Sequence, residues 1–255
     1  MKHQYIKSIY FYILVLLQFF IVATAHADVA TAERNFKKEF VNIPTSFKFS
    51  ESPFEGFYLA QSPTGRTLFT EDVSVSGNLD SWELNQKGKI TNLPADATLR
   101  NLRKKLKTDW MIQLDASTGD QKVIIISAPD CPVCKAQEKD LLKFGSQLNA
   151  VIYIVPMTLA AHTVGEDPFT NATLCEGNPL QTWNDAMSRN KIASSNKRCL
   201  TSNWASVVMS HTFEQAKDGR TRVRTPAMIR SDGSVMYGWD QNMNLAAVKL
   251  KLGIN

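Results

Sequence analysis

Cys131-Pro132-Val133-Cys134 is the stretch of this 255-residue sequence best suited to chemistry. A thiolate that attacks a disulfide sulfur forms a mixed disulfide, and a second thiol one helical turn away can resolve it. The first sulfur then belongs at a helix N-terminus, where backbone N–H groups and the helix dipole favour the anion. The flanking sequence supplies that setting. Val123-Ile124-Ile125-Ile126 reads as a strand buried on both faces, and a long helical stretch with Leu141, Phe144 and Leu148 on one face follows the cysteines. Pro132 fits the first helical turn, where its missing donor is not needed. Cys131 is therefore expected as the exposed nucleophile and Cys134 as the more buried resolving thiol. Two other readings of the pair stay open: half of a zinc site, and a purely structural disulfide. Zinc lacks a second half, since no other Cys-x-x-Cys or close His pair occurs and His162 and His211 are isolated. No metal and no cofactor is expected. A structural bridge over so short a loop would constrain little.

The other two cysteines, Cys175 and Cys199, stand 24 positions apart in a stretch of helical character. In an exported protein the simple reading is a structural disulfide, for which chain entropy gives about 3 kcal/mol. A second redox relay is the alternative. Thr225-Pro226 opens a strand-like run just before a hairpin and suggests a cis-proline loop, because an X–Pro bond loses most of its trans preference. An ordinary trans proline at an edge strand is the competing reading.

The elements that must hold these residues begin after an export signal. Lys2, His3 and Lys7 precede an apolar run from Ile9 to Ala23, and Ala25-His26-Ala27 ends it with the small-x-small pattern of a cleavage site. Residues 1–27 thus read as a signal peptide in preference to an uncleaved membrane anchor, for which the run is a little short, and an oxidising compartment follows. Removing them takes away Lys2 and Lys7 and no acid, so the formal charge falls from +5 to +3. A composition of 44% hydrophobic and 21% charged residues with 13 Phe, 6 Tyr and 5 Trp excludes a disordered chain.

Residues 28–95 read as a small α+β unit. Ala32, Phe36, Phe40 and Ile43 mark a helix ending before Pro44. Gly56–Ala60, Thr67–Thr70 and Val73–Gly77 mark strands, with a turn at Ser62-Pro63-Thr64-Gly65. Residues 96–116 follow as a linker helix with Leu99, Leu102, Leu106 and Trp110 on one face. Arg100, Arg103, Lys104, Lys105 and Lys107 lie opposite, a solvated face in preference to a nucleic-acid or lipid site. Residues 117–255 form an α/β unit. In it Val123–Ile126, the helix after Cys134 and Val151–Val155 make a βαβ element, and a helical insert covers about 158–222. Ala227-Met228-Ile229, an Asp232-Gly233 turn, Val235-Met236-Tyr237 and a helix through Leu245, Val248 and Leu252 close the chain.

This order of features resembles the DsbC/DsbG family of periplasmic thiol:disulfide interchange proteins over essentially the whole mature chain. The likeness is carried by Ile126-Ser127-Ala128-Pro129-Asp130-Cys131-Pro132-Val133-Cys134-Lys135, by Val155-Pro156 and by Thr225-Pro226-Ala227. Gly65-Arg66-Thr67-Leu68-Phe69-Thr70 and Val75-Ser76-Gly77 look like the family's amino-terminal domain. The resemblance implies a thioredoxin fold with a helical insertion, carried on a cystatin-like dimerisation domain and a linker helix. It implies a homodimer whose cleft accepts misfolded exported proteins. Cys131 would attack their disulfides, Cys134 would release them, and the backbone at Thr225, before cis-Pro226, would pair with the client chain. Cys175 and Cys199 would form the structural disulfide, and a DsbD-like membrane reductase would keep the dithiol reduced. The implied activity is that of a disulfide isomerase or reductase. A DsbA-like oxidase and a non-catalytic chaperone or assembly factor of a secretion system are the alternatives.

The sequence departs from the family between the cysteines. Pro132-Val133 stands where DsbC has Gly-Tyr, DsbG has Pro-Tyr and the DsbA oxidases have Pro-His. Those positions influence thiolate stability and hence redox potential. Asp130 acts there too, since a carboxylate beside Cys131 disfavours the thiolate that the helix terminus favours.

Overall fold

The computed structural model describes residues 28–40, 46–63, 65–78, 83–86, 89–90, 95–115, 118–160, 167–212, 214–215, 221–222 and 224–254. The expected signal peptide and His162 lie outside them. The chain divides into two compact units, the first within residues 1–90 and the second dominated by residues 91–255.

In the first unit, helix α1 (Val29–Glu39) is capped by Asp28, whose carboxylate accepts from the Ala30 N–H. Lys37 and Lys38 complement the dipole at its other end. The helix stops at Glu39, short of the expected Ile43, which is not among the described residues. Phe40 is already extended, its ring 4.6 Å from that of Phe36. A six-stranded sheet follows in the order β1 (Lys48–Glu51), β2 (Phe57–Ser62), β3 (Gly65–Thr70), β4 (Val75–Asn78), β5 (Glu83–Gln86), β6 (Lys89–Ile90). The register sets Phe49 opposite Ala60 and Tyr58 opposite Phe69, so these four share the face that packs on Ala32 and Phe36. Val73, expected inside a strand, sits instead in a turn with φ 57°. The Asp72 carboxylate is the cause: its Oδ1 accepts from Thr70 Oγ1, Ser74 Oγ and the Ser74 N–H, and this local bonding outcompetes strand pairing.

The second unit opens with α2 (Ala95–Lys104), shorter than the expected helix over 96–116. Backbone pairing with an upstream segment ends it. The Glu55 N–H donates to Lys105 O and the Lys107 N–H to Pro53 O, each at 2.8 Å, and Phe54 forms a bridge with Leu106. Leu102, Leu106 and Trp110 are buried nonetheless. Arg103, read as part of a solvated face, is buried as well, and its Nη1 reaches Gly233 O at 3.4 Å. Strand β7 (Ile112–Gln113) then joins the sheet of this unit, so that unit begins before residue 117.

Strand β8 (Gln121–Ser127) runs parallel to β9 (Ala150–Pro156), with α3 (Pro132–Phe144) and a short 3-10 turn between them. The Val123–Ile126 run is buried throughout, as a strand covered on both faces must be. The insert follows as α4 (Pro168–Cys175), α5 (Pro179–Arg189), α6 (Leu200–Thr212) and a small hairpin of β10 (Glu214–Gln215) and β11 (Thr221–Arg222). The chain returns in β12 (Ala227–Ile229), antiparallel to β8, turns through Gly233 into β13 (Val235–Tyr237), and ends in α7 (Leu245–Leu252). Gly233 is required there: φ is +79°, and a Cβ would stand 2.1 Å from Arg100 O. The sheet order is β13-β12-β8-β9-β7. A parallel strand–helix–strand unit joined to an antiparallel hairpin and a final helix is a thioredoxin fold. Its core gathers Val123, Ile125, Leu141, Ile152, Trp183 and Val248, among others, against α3, α5 and α7.

Cys175 and Cys199 are joined by a disulfide with their Cα atoms 5.7 Å apart, tying the end of α4 to the start of α6. Replacing both by alanine is expected to lower unfolding free energy by about 3 kcal/mol, read as a shift of the urea midpoint. An unchanged midpoint would refute that role. No helix among the described residues is long and apolar enough to cross a membrane.

Candidate active site

Cys131 is the N-cap of α3. Its backbone is extended (φ −104°, ψ 113°), Pro132 takes the first helical position, and the Cys134 N–H donates to Cys131 Sγ at 3.3 Å. The sulfur therefore occupies the place where a capping oxygen usually accepts, and a thiolate there would strengthen that bond and gain from the helix dipole. Both cysteines are free thiols. The expectation of an exposed Cys131 needs correction: it is only 4% exposed, against 0% for Cys134. The loop carrying the cis Thr225–Pro226 bond lies against it, with Thr225 O 3.9 Å from Cys131 Sγ. The structure thus brings Cys131, Cys134, Thr225 and Pro226 together, and leaves the Cys175–Cys199 disulfide in the helical insert.

The two sulfurs differ in environment. Burial pushes the Cys134 thiol up to about 12, and the hydrogen bond with Cys131 pushes in the same direction. It is a neutral thiol at any physiological pH. Asp130, expected to oppose the Cys131 thiolate, is engaged elsewhere. Its carboxylate accepts from the Leu159 and Ala160 N–H groups at 2.9–3.1 Å, charge-assisted bonds to the segment that follows β9. Asp167 does the same one residue earlier, accepting from the Thr158 N–H and hydroxyl. The two carboxylates fix the chain as it leaves β9.

Glu138 was not singled out by the sequence reading. It lies one turn beyond Cys134 on the inner side of α3, with Cys134, Gln137, Leu141 and Phe144. It is 7% exposed, and the fully buried Trp183 of α5 donates its Nε1–H to Glu138 Oε1 at 2.9 Å. Burial raises the carboxyl to about 7, and the indole bond only partly offsets this. The signal in the sequence was a carboxylate among apolar positions of an amphipathic helix. Among the described residues, no three His, Cys, Asp or Glu side chains cluster as a metal site requires.

No known protein family and no curated protein matches the sequence. Solved structures do. A disulfide interchange protein from Neisseria gonorrhoeae is 20% identical, with 59% of this chain and 100% of that one covered, at a TM-score of 0.43. A periplasmic thioredoxin-like protein from Salmonella enterica serovar Typhimurium is 17% identical over 65% and 99% of the two chains, at 0.34. DsbG from Helicobacter pylori is 15% identical over 71% and 82%, at 0.21. Likeness this distant carries no weight for function, and the thioredoxin fold rests on the strand order and connections of this chain.

Proposed function

We propose that this chain is an exported thiol:disulfide interchange protein that rearranges or reduces wrong disulfides in client proteins through Cys131 and Cys134. The observation that carries the reading is the asymmetry of the pair. One sulfur caps a helix N-terminus and accepts an N–H, while the other is wholly buried and held protonated. Such a pair attacks with Cys131 and resolves with Cys134. The carbonyl of Thr225, beside Cys131 Sγ, is placed to meet the backbone of a client strand next to its reacting cysteine. The Cys175–Cys199 bridge takes the structural part. The signal-like start of the sequence supports removal of residues 1–27 and action in the periplasm. A homodimer, misfolded exported clients and a DsbD-like membrane reductase complete the proposal, on the resemblance to the DsbC/DsbG family.

The test is reactivation of scrambled ribonuclease by the mature chain in a glutathione buffer, together with the reduction potential of the Cys131–Cys134 couple. An isomerase or reductase is expected to restore ribonuclease activity and to show a potential well below that of a strong oxidant, which lies at about −120 mV. A potential at that oxidising limit, with no reactivation of the scrambled enzyme, would transfer the chain to the dithiol oxidases.

A further inference from the structure

We propose that Arg224 selects client chains by a carboxylate beside their reacting cysteine, so that a disulfide flanked by aspartate or glutamate is exchanged faster than one flanked by neutral or basic residues. The inference rests on the reading of Cys131 as nucleophile and of Thr225 as the place where a client backbone pairs.

Placement comes first. Thr225 O is 3.9 Å from Cys131 Sγ, and Arg224 is the residue before it, its Cα about 3.8 Å along the chain. Arg224 is exposed, and its guanidinium carbon lies over the Tyr237 ring, 5.9 Å from the ring centre. That ring is itself fixed to the cis-proline loop. Tyr237 ends β13 directly across from Ala227, and the Gly238 N–H donates to Pro226 O at 2.8 Å. The Tyr237 hydroxyl donates to Thr212 O at the end of α6. The cation is therefore held against the same loop that touches the nucleophile.

Charge sets what such a group recognises. Residues 219–231 contain Arg220, Arg222, Arg224 and Arg230 and no acid. Arg230 is committed to the end of α7, where it donates to Leu250 O and Lys251 O. The acid next to the nucleophile, Asp130, turns to the Leu159 and Ala160 N–H groups beyond β9. The sheet order β13-β12-β8-β9-β7 puts that acid on the β9 flank of the strand leading to the cysteines and Arg224 on the β12 flank. A client that pairs with Thr225 thus meets the basic flank.

The guanidinium suits a carboxylate in shape as well as in charge. Stacking on a ring engages its face, and its N–H fork lies in its plane, the arrangement that grips both oxygens of a carboxylate. A client chain paired along Thr225 brings its next residue opposite Arg224, and opposite charges across a strand pair attract. The selected side chain accordingly lies within one or two residues of the reacting cysteine. An exposed pair of this kind is expected to favour the acidic client about 5-fold.

Three disulfide-linked homodimers of a short peptide, with glutamate, glutamine or lysine on both sides of its single cysteine, give the test. Reduced mature chain in excess reduces each peptide disulfide to two thiols, and the Cys131–Cys134 dithiol is oxidised to its disulfide in return. Each second-order rate is divided by that of dithiothreitol with the same peptide, which removes the peptide's own reactivity. The wild-type chain is expected to prefer glutamate over glutamine about 5-fold, with lysine slowest, and to lose most of the preference in 0.5 M salt. Arg224→Gln is expected to bring the ratio to about one, and Arg224→Lys to keep about 2-fold. Equal rates for the three peptides in the wild type would overturn the assignment. So would a preference that persists in Arg224→Gln, or a variant that slows all three in equal proportion. If Arg224→Gln does not fold, a wild-type preference that salt leaves untouched overturns it as well. No reaction with any peptide would instead remove the disulfide-exchange reading, and this inference with it.

Discussion

Replacing Cys131 by alanine is expected to bring disulfide exchange to the uncatalysed background, while Cys134→Ala keeps the attack and loses the release. The difference follows from the two environments. Cys131 caps α3 and accepts from the Cys134 backbone N–H, an interaction that survives truncation of the Cys134 side chain. Removing the buried Cys134 thiol also removes the intramolecular attack, whose advantage over a free thiol is its effective concentration, about 10⁵ M or more in well-aligned cases. Cys134→Ala should therefore accumulate client proteins bound through Cys131, visible on non-reducing gels and dispersed by reductant. Accumulation in Cys131→Ala and none in Cys134→Ala would reverse the assignment of the two sulfurs.

What the sequence disclosed about the candidate site was the cysteine pair and the frame that carries it. The βαβ frame was legible because Val123–Ile126 and Val151–Val155 are continuous apolar runs and Pro132 marks a helix start. Three features were not legible, and each depends on partners distant in sequence. Leu102, Leu106 and Trp110 keep helical spacing, yet the helix ends at Lys104 because residues 53–55 capture the backbone beyond it. Spacing reports which side chains are buried; it does not report which backbone the chain pairs with. Asp130 reads as a charge beside a thiolate until the Leu159 and Ala160 N–H groups, about thirty residues on, are seen to hold it. The accessibility of Cys131 was overstated for the same reason, since the Thr225–Pro226 loop arrives from far along the chain to cover it. Glu138 lies between these cases. Its place on the inner stripe of α3 is written in the spacing from Cys134 to Leu141, whereas its indole partner is on another helix.

That buried carboxyl also sets a stability dependence that does not involve redox chemistry. Its folded-state value of about 7 lies above the ordinary 4.5 of a glutamate in the unfolded chain. Below both values the group is protonated in either state and favours neither. As pH rises through 4.5 the unfolded chain ionises first and gains relative to the folded one, and the loss is complete once pH passes about 7. The difference amounts to about 3 kcal/mol at pH 8, of the size expected for a buried, singly hydrogen-bonded carboxylate. Glu138→Gln has no charge to bury and keeps an acceptor for Trp183. It is therefore expected to match the wild type near pH 4 and to exceed it by about 3 kcal/mol at pH 8, with the gap opening between those values. Urea unfolding of the two chains in parallel at pH 4, 6 and 8 gives the comparison, because contributions of the other ionisable groups cancel in the difference. Parallel curves with no widening gap would mean that Glu138 ionises as an exposed glutamate does, and that α3 tolerates its charge at no cost.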